Sequence, residues 1–207
     1  KRIKNKNLKL INGKPLIYYT IKYAIKNNSY IDDIFVSTDS RKISNFANKI
    51  KKDLSPILRP KKISNDKSSD LGFVFHALKY FQEMKNLEFD IVAILRPTTP
   101  IRDKNLFKEC LKNLLKLKAS SIRSSKEVKH NHPYWMYSIK KNKLVEVIRN
   151  KNFFKYYQSQ KLPKFFMHDG HCDIFLKKNL YKKDNKTDLS KLYGKKMIYF
   201  ENKNNLS

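Results

Sequence analysis

Residues 91–95, Ile-Val-Ala-Ile-Leu, carry no polar side chain, the pattern of a short strand buried on both faces of a parallel sheet. The run stops at Arg96-Pro97, because proline cannot donate a ladder hydrogen bond and holds the residue before it extended. Thr98, Thr99 and Pro100 follow as a stiff turn with two hydroxyls. A helix pattern then starts at Asp103 and turns Leu106, Cys110, Leu111, Leu114 and Leu115 inward. In open α/β sheets ligands bind beyond the carboxyl ends of the strands. An arginine-bearing turn at such an end is a candidate site for an anion, against the plainer reading of an ordinary strand-to-helix connector.

The same rhythm runs through the first 120 residues. Pro15 suits the first turn of a helix whose apolar positions are Leu16, Ile17, Ile21, Ala24 and Ile25. Residues 34–37 read as a strand closed by Thr38-Asp39, and residues 41–50 as a helix with Ile43, Phe46, Ala47 and Ile50 on one stripe. Residues 56–59 read as a strand halted by Pro60, and Leu71, Val74, Phe75, Leu78 and Phe81 mark an amphipathic helix. Strands alternating with helices predict right-handed crossovers and a largely parallel sheet. Beyond Ala119 the pattern changes to short β-like runs (120–123, 135–139, 144–148), then late strands at 172–176 and 197–201 that return to the sheet. We expect a core over residues 1–127, an arm or subdomain for self-association over 128–163, and a return to the core over 164–207.

At 207 residues the chain suits one domain, or one with an appendage. Its formal charge of +28 invites a nucleic-acid partner. The excess is nearly all lysine spread through every segment, whereas nucleic-acid binders concentrate charge on one face and lean on arginine. We therefore expect no nucleic-acid partner, although the field would attract a polyanionic substrate such as a nucleotide. Two cysteines, Cys110 and Cys172, form no disulfide framework or zinc spacing, and a reducing cytoplasm fits them. No apolar run approaches ~20 residues, and no membrane partner is expected.

Where lysine dominates, Arg59 before Pro60 and Arg96 before Pro97 stand out, since a guanidinium fork suits phosphate or carboxylate. If both strands are parallel members of one sheet, both guanidiniums lie at its ligand-binding edge. His168, Asp169, His171 and Asp173 invite a metal, with strand alternation placing the last three on one face and His168 on the other. They match no recognised ligand spacing, and Gly170 suggests a turn among them. His130 and His132 beside Pro133 read as a polar loop.

Taken together, these segments resemble the acylneuraminate cytidylyltransferases. Lys6-Asn7 looks like the end of that family's basic nucleotide loop, and residues 12–16 like its N-G-K-P-L turn. Residues 36–39 match its V-S-T-D, residues 58–60 its L-R-P, and Asp66 with Ser69 its D-x-x-S. Residues 95–102 are close to its L-Q-P-T-S-P-L-R, while His132-Pro133 and residues 162–170 fit later landmarks. The resemblance implies a Rossmann-like mononucleotide-binding α/β sheet, mostly parallel, flanked by helices and bearing a small dimerisation arm. It implies transfer from CTP to a nine-carbon 2-keto sugar acid, giving a CMP-sugar and pyrophosphate in a homodimer, with Mg²⁺ as cofactor. By likeness, Lys1 and Lys6 would face the triphosphate as catalytic cations. Asn7, Arg59, Asp66, Ser68 and Ser69 would hold the nucleotide, and Arg96, Thr98, Thr99 and Asp169 the sugar acid.

Several positions depart from the family pattern. Its first strand and most of its basic loop would precede Lys1, and its metal-binding S-x-D-x-D would begin at Ser207, so we expect further chain at both ends. Arg96 replaces a usual Gln, Met167 a common Arg and Asp169 a usual Asn. These changes widen the expected acids from sialic to legionaminic or pseudaminic types. The alternatives are an enzyme for an eight-carbon 3-deoxy-manno-octulosonate-type acid, an inactive paralogue, or a basic RNA-binding module.

Overall fold

The computed structural model describes residues 3, 5–51, 54–65, 68–129, 131–148, 156, 158–183 and 186–203. Near its start, the two-residue strands β1 (Leu10–Ile11) and β2 (Lys14–Pro15) pair across a turn in which Asn12 and Gly13 take positive φ. Pro15 is the N-cap of α1 (Leu16–Lys26).

The strands leading to Arg59 and Arg96 fall into two groups and do not share one sheet as expected. Among the described residues the first pairs only with one partner strand, while the second belongs to a separate four-stranded sheet. Strand β3 (Phe35–Thr38) pairs parallel with β4 (Ser55–Leu58) through the right-handed connection expected for α2 (Arg41–Ile50). Ser40 caps α2 by accepting from the Ile43 N–H. The larger group is four-stranded in the order β10-β6-β9-β5, formed by Met197–Glu201, Ser121–Glu127, Phe166–Leu176 and Ile91–Ile94. Strand β10 runs parallel to β6, whereas β9 runs antiparallel to both its neighbours. The sheet is therefore parallel except for one inner strand that arrives late in the chain. Because β9 runs the other way, its beginning lies beside the carboxyl ends of β5 and β6.

Helices bind the two groups into one body. α3 (Asp70–Lys85) packs Phe81 on Ile57 and Phe35, and Leu71, Val74 and Leu78 on Val92, Ile94 and Phe175. α1 packs Ile17 and Ile21 on Ala47 and Leu54, while its Tyr23 joins the cluster under α4 (Leu106–Lys116). Burial of each large apolar side chain is worth about 2 kcal/mol, so shared helices are a sufficient tie. The short α5 (Asp188–Tyr193) carries a Thr187/Ser190 capping box and lays Tyr193 on the α3 side of the sheet.

Two local expectations need correction. α4 begins at Leu106 and not at Asp103, because Asp103 folds into a turn that accepts the Asn105 N–H. The Tyr23 hydroxyl then bridges Asp103 O and the Phe107 N–H, doing from another helix what a side-chain cap does locally. His132 is not in a solvated loop: it is 1% exposed, contacts Pro163 O at 2.9 Å through Nε2, and sits edge-on to Phe165. His130 lies outside the described residues. Within the expected arm, β7 (Tyr137–Lys140) and β8 (Lys143–Glu146) form a hairpin whose turn residues Lys141 and Asn142 both have positive φ.

Candidate active site

The carboxyl ends of β3, β4, β5 and β6 and the start of β9 share one rim. Arg59 leaves β4 tied by its N–H to Thr38 O, with its guanidinium 4.0 Å from Asp39 and 5.6 Å from the ring centre of Phe73 in α3. Its Nε is buried and has no hydrogen-bond partner among the described residues. Arg96 leaves β5 and reaches Asp70, the first residue of α3. Asp70 and Phe73 are one helical turn apart, so both arginines converge on the start of α3. Ser69, its N-cap, is exposed and makes no side-chain cap there.

A bulge in β9 organises the deeper part of the rim. Arg123 pairs with Asp173 and Ser125 with His168, so two steps along β6 span five along β9. Gly170, at φ 75°, permits the excursion, since that conformation costs a side-chain-bearing residue about 1 kcal/mol. The bulge reverses the expected alternation: His168 and Asp173 share a face with Arg123, and Asp169 turns to the other side, toward Ser124.

Asp173 is fully buried and accepts four hydrogen bonds, filling its capacity. Arg123 Nε (3.1 Å) and His168 Nε2 (2.8 Å) reach Oδ1, while Arg96 Nη1 and the Tyr193 hydroxyl (3.1 Å) reach Oδ2. Arg123 Nη2 lies 3.0 Å from His168 Nδ1 and 3.2 Å from Nε2, against the imidazole whose Nε2 faces Asp173. The Arg123 guanidinium also stacks 4.4 Å from the Tyr193 ring centre. Burial alone would raise the Asp173 pKa; His168, Arg96 and Arg123 outweigh it and hold the carboxyl below the usual carboxylate range. Burial likewise works against the Arg96 charge, but Asp173 and Asp70 prevail and raise its pKa. The Tyr193 phenol is pushed up to about 12, first by burial and then by Asp173.

On the opposite face Asp169 meets mostly neutral donors: Ser124 Oγ (2.5 Å) and the His171 N–H (3.0 Å) on Oδ1, and Asn202 Nδ2 (3.0 Å) on Oδ2. His171 Nδ1 is 3.2 Å away, within ion-pair range but poorly aligned for a hydrogen bond. Burial opposes the Asp169 charge, but the His171 imidazole first, and then Ser124, the His171 N–H and Asn202, hold its pKa below the usual range. Arg102 fastens the turn after β5 to the bulge. Its Nε donates to His171 O, Nη1 to Thr20, and Nη2 to Arg96 O and Thr99 Oγ1. Burial lowers its pKa to about 10, against pulls from Cys172, Tyr23 and Asp169. Thr99 Oγ1 in turn contacts Gly170 O at 3.0 Å.

The predicted residues therefore divide. Arg59, Ser69, Arg96 and exposed Thr98 stand at the rim; Ser68 accepts the Asn65 N–H just before α3. Thr99 and Asp169 spend their polar atoms inside the protein. Lys6 and Asn7 lie in a single 3-10 turn packed near α1, with Lys6 exposed and Asn7 Oδ1 buried without a partner among the described residues. Lys1 and Asp66 lie outside the described residues. Arg123, Asp70 and Arg102 escaped the sequence reading, although the scarcity of arginine that singled out Arg59 and Arg96 applies equally to Arg102 and Arg123. Among the described residues no group of three His, Cys, Asp or Glu side chains could hold a metal ion.

Comparison with known proteins decides the family. Residues 1–205 match the family described as cytidylyltransferase. The chain belongs to it. It is 34% identical over 139 residues to the CMP-N,N'-diacetyllegionaminic acid synthase of Legionella pneumophila, covering 67% of this chain and 58% of that protein. It is 32% identical over 112 residues to the N-acylneuraminate cytidylyltransferase of Escherichia coli O18:K1:H7, covering 54% and 25% respectively. A pseudaminic acid cytidylyltransferase of Campylobacter jejuni is 30% identical over 130 residues, covering 63% and 55%. The chain thus spans between a quarter and three-fifths of these relatives' lengths. The fold agrees with CMP:2-keto-3-deoxy-manno-octonic acid synthetase, solved with CTP, at a TM-score of 0.63 and 14% identity over 95% of this chain and 83% of that one.

Proposed function

We propose that this cytidylyltransferase joins CTP to a nine-carbon 2-keto sugar acid of the sialic, legionaminic or pseudaminic type, giving the CMP-sugar and pyrophosphate. The observation that carries the reading is the likeness to relatives named for those three acids, combined with the convergence of Arg59 and Arg96 on the start of α3. The acid's anomeric oxygen would bond to the α-phosphorus as the bond to the pyrophosphate oxygen breaks. Charge then grows on the phosphoryl oxygens, so catalysis is chiefly positioning and cationic stabilisation. Arg59, with its unpartnered Nε, suits a nucleotide phosphate or base, and Ser69 leaves the first α3 N–H groups without a side-chain cap. Lys1, Lys6 and Asn7 would complete the nucleotide side. Mg²⁺ is the expected cofactor, by the likeness to the family.

The same reading includes a homodimer in the cytoplasm. The hairpin supports it: cross-strand partners Ile139 and Leu144 are 76% and 69% exposed, with Tyr137 on the same face. A lone hairpin is marginal in water and gains stability by covering such a face. No described helix is long and apolar enough to cross a membrane.

Thermal shift with CTP and Mg²⁺, followed by pyrophosphate release across the three acids and an eight-carbon acid, tests the reading. A ligand that binds only the folded state raises the melting temperature by mass action. We expect stabilisation by CTP and turnover of a nine-carbon acid, and Arg59→Ala should weaken CTP binding about 10-fold, the scale of one charge-assisted hydrogen bond. No shift with CTP, or stabilisation by RNA that fades steeply with salt, would overturn it.

A further inference from the structure

We propose that Arg123 binds the carboxylate of the sugar acid through Nη1, while Arg96, the residue that the sequence placed there, is a positioning residue. The inference rests on the function proposed above and assigns its substrate-recognition cation.

The two arginines differ in what they have left to give. Both terminal nitrogens of Arg96 end on carboxylates, Nη1 on Asp173 and Nη2 on Asp70. Arg123 has a share in Asp173 alone among carboxylates: Nε donates to it, and Nη2 lies against the two ring nitrogens of His168. Arg123 Nη1 has no partner among the described residues and is not among the buried orphan atoms, so it opens to solvent. Asp173 already accepts four hydrogen bonds and can compensate no further cation. Counting Asp70, Asp173, Arg96 and Arg123 the cluster is neutral, but the compensation is uneven. The under-compensated charge sits on Arg123, clamped against the Tyr193 ring in a fixed orientation. A guanidinium immobilised before the substrate arrives loses little entropy on binding a carboxylate. His168, 29% exposed beside it, borders the same opening. Asp70, 38% exposed and engaged through Oδ2, holds Arg96 away from the acid.

The test is steady-state pyrophosphate release by the full-length protein with CTP, Mg²⁺ and whichever of the three acids it turns over best. KM is measured separately for acid and CTP, and the acid's C1 carboxamide is titrated as a competitor. Arg123→Gln strands the buried Asp173, so the informative variants are Arg123→Lys, which keeps the ion pair, and the paired Arg123→Gln/Asp173→Asn, which removes both charges. We expect the KM for the acid to rise at least ~10-fold in both, the effect of losing one charge-assisted hydrogen bond. KM for CTP and the inhibition constant of the carboxamide should stay at wild-type values. Arg96→Gln, by contrast, should lower kcat more than it raises KM for the acid. An unchanged acid KM in a folded Arg123 variant overturns this inference and leaves the proposed function standing, as does an equal rise for acid and carboxamide. Failure of the wild type to bind CTP overturns both.

Discussion

Asp169 and Asp173 stand four residues apart on one strand, are both closed to solvent, and are compensated by different means. Asp169 is surrounded by a hydroxyl, a backbone N–H and an amide, with an imidazole alongside, and it fastens the end of β10 and the bulge to β6. Asp173 is surrounded by two guanidiniums, an imidazole and a phenol, and it organises the partly exposed cations at the rim. A carboxylate held by neutral donors behaves as a latch. One held by cations is a hub, because every partner it orients keeps a charge that can act elsewhere. The bulge at Gly170 separates the roles by sending the two side chains to opposite faces.

The largest effect should come from the hub. Asp173→Ala leaves Arg96 and Arg123 without their shared counter-ion, and breaking a buried pair from one side costs about 3 kcal/mol or more. Chemical denaturation should show that loss, and a loss below that of Asp169→Ala would break the distinction between hub and latch. Asp169→Ala removes only an acceptor from mostly neutral donors and should cost about 2 kcal/mol, read from the same denaturation curves. Acid titration sharpens the contrast further. Both carboxyls have folded pKa values below their unfolded ones, so their contribution is complete above the usual carboxylate pKa of ~4 and is lost as pH falls below it. The melting temperature should therefore drop on acidification, and the drop should shrink in both Asp169→Asn and Asp173→Asn; an unaltered acid limb in Asp173→Asn contradicts the assignment. Smallest is Gly170→Ala. An added Cβ would meet Thr99 Cγ2 at 3.7 Å, ordinary contact, so only the positive φ is penalised, at about 1 kcal/mol. A loss much above that would mean that the bulge rearranges.

Much of the frame was legible because it rests on local patterns. Apolar periodicity and proline breaks located α2, α3, β5 and β10 closely, and the strand ends at Arg59 and Arg96 marked a shared edge, though their strands lie in two sheets and not one. Where the sequence erred, the deciding partner was distant. Tyr23 sets the start of α4 from more than eighty residues away in the chain, and Pro163 and Phe165 bury His132. No local rule contains those partners.

The candidate site shows the same division more sharply. Residue types at strand ends were enough to choose Arg59 and Arg96, because a guanidinium beside a proline-terminated strand is a local feature. What Arg96 does there depends on Asp70 and Asp173, and the availability of Arg123 depends on a register that skips residues in β9 but not in β6. By itself the sequence determined most of the segments that become strands and helices, and that Arg59 and Arg96 follow strand ends, since both depend on short-range sterics and periodicity. Only the tertiary structure decided which of those cations are already neutralised, because strand register and buried ion pairing are settled between residues far apart in the chain.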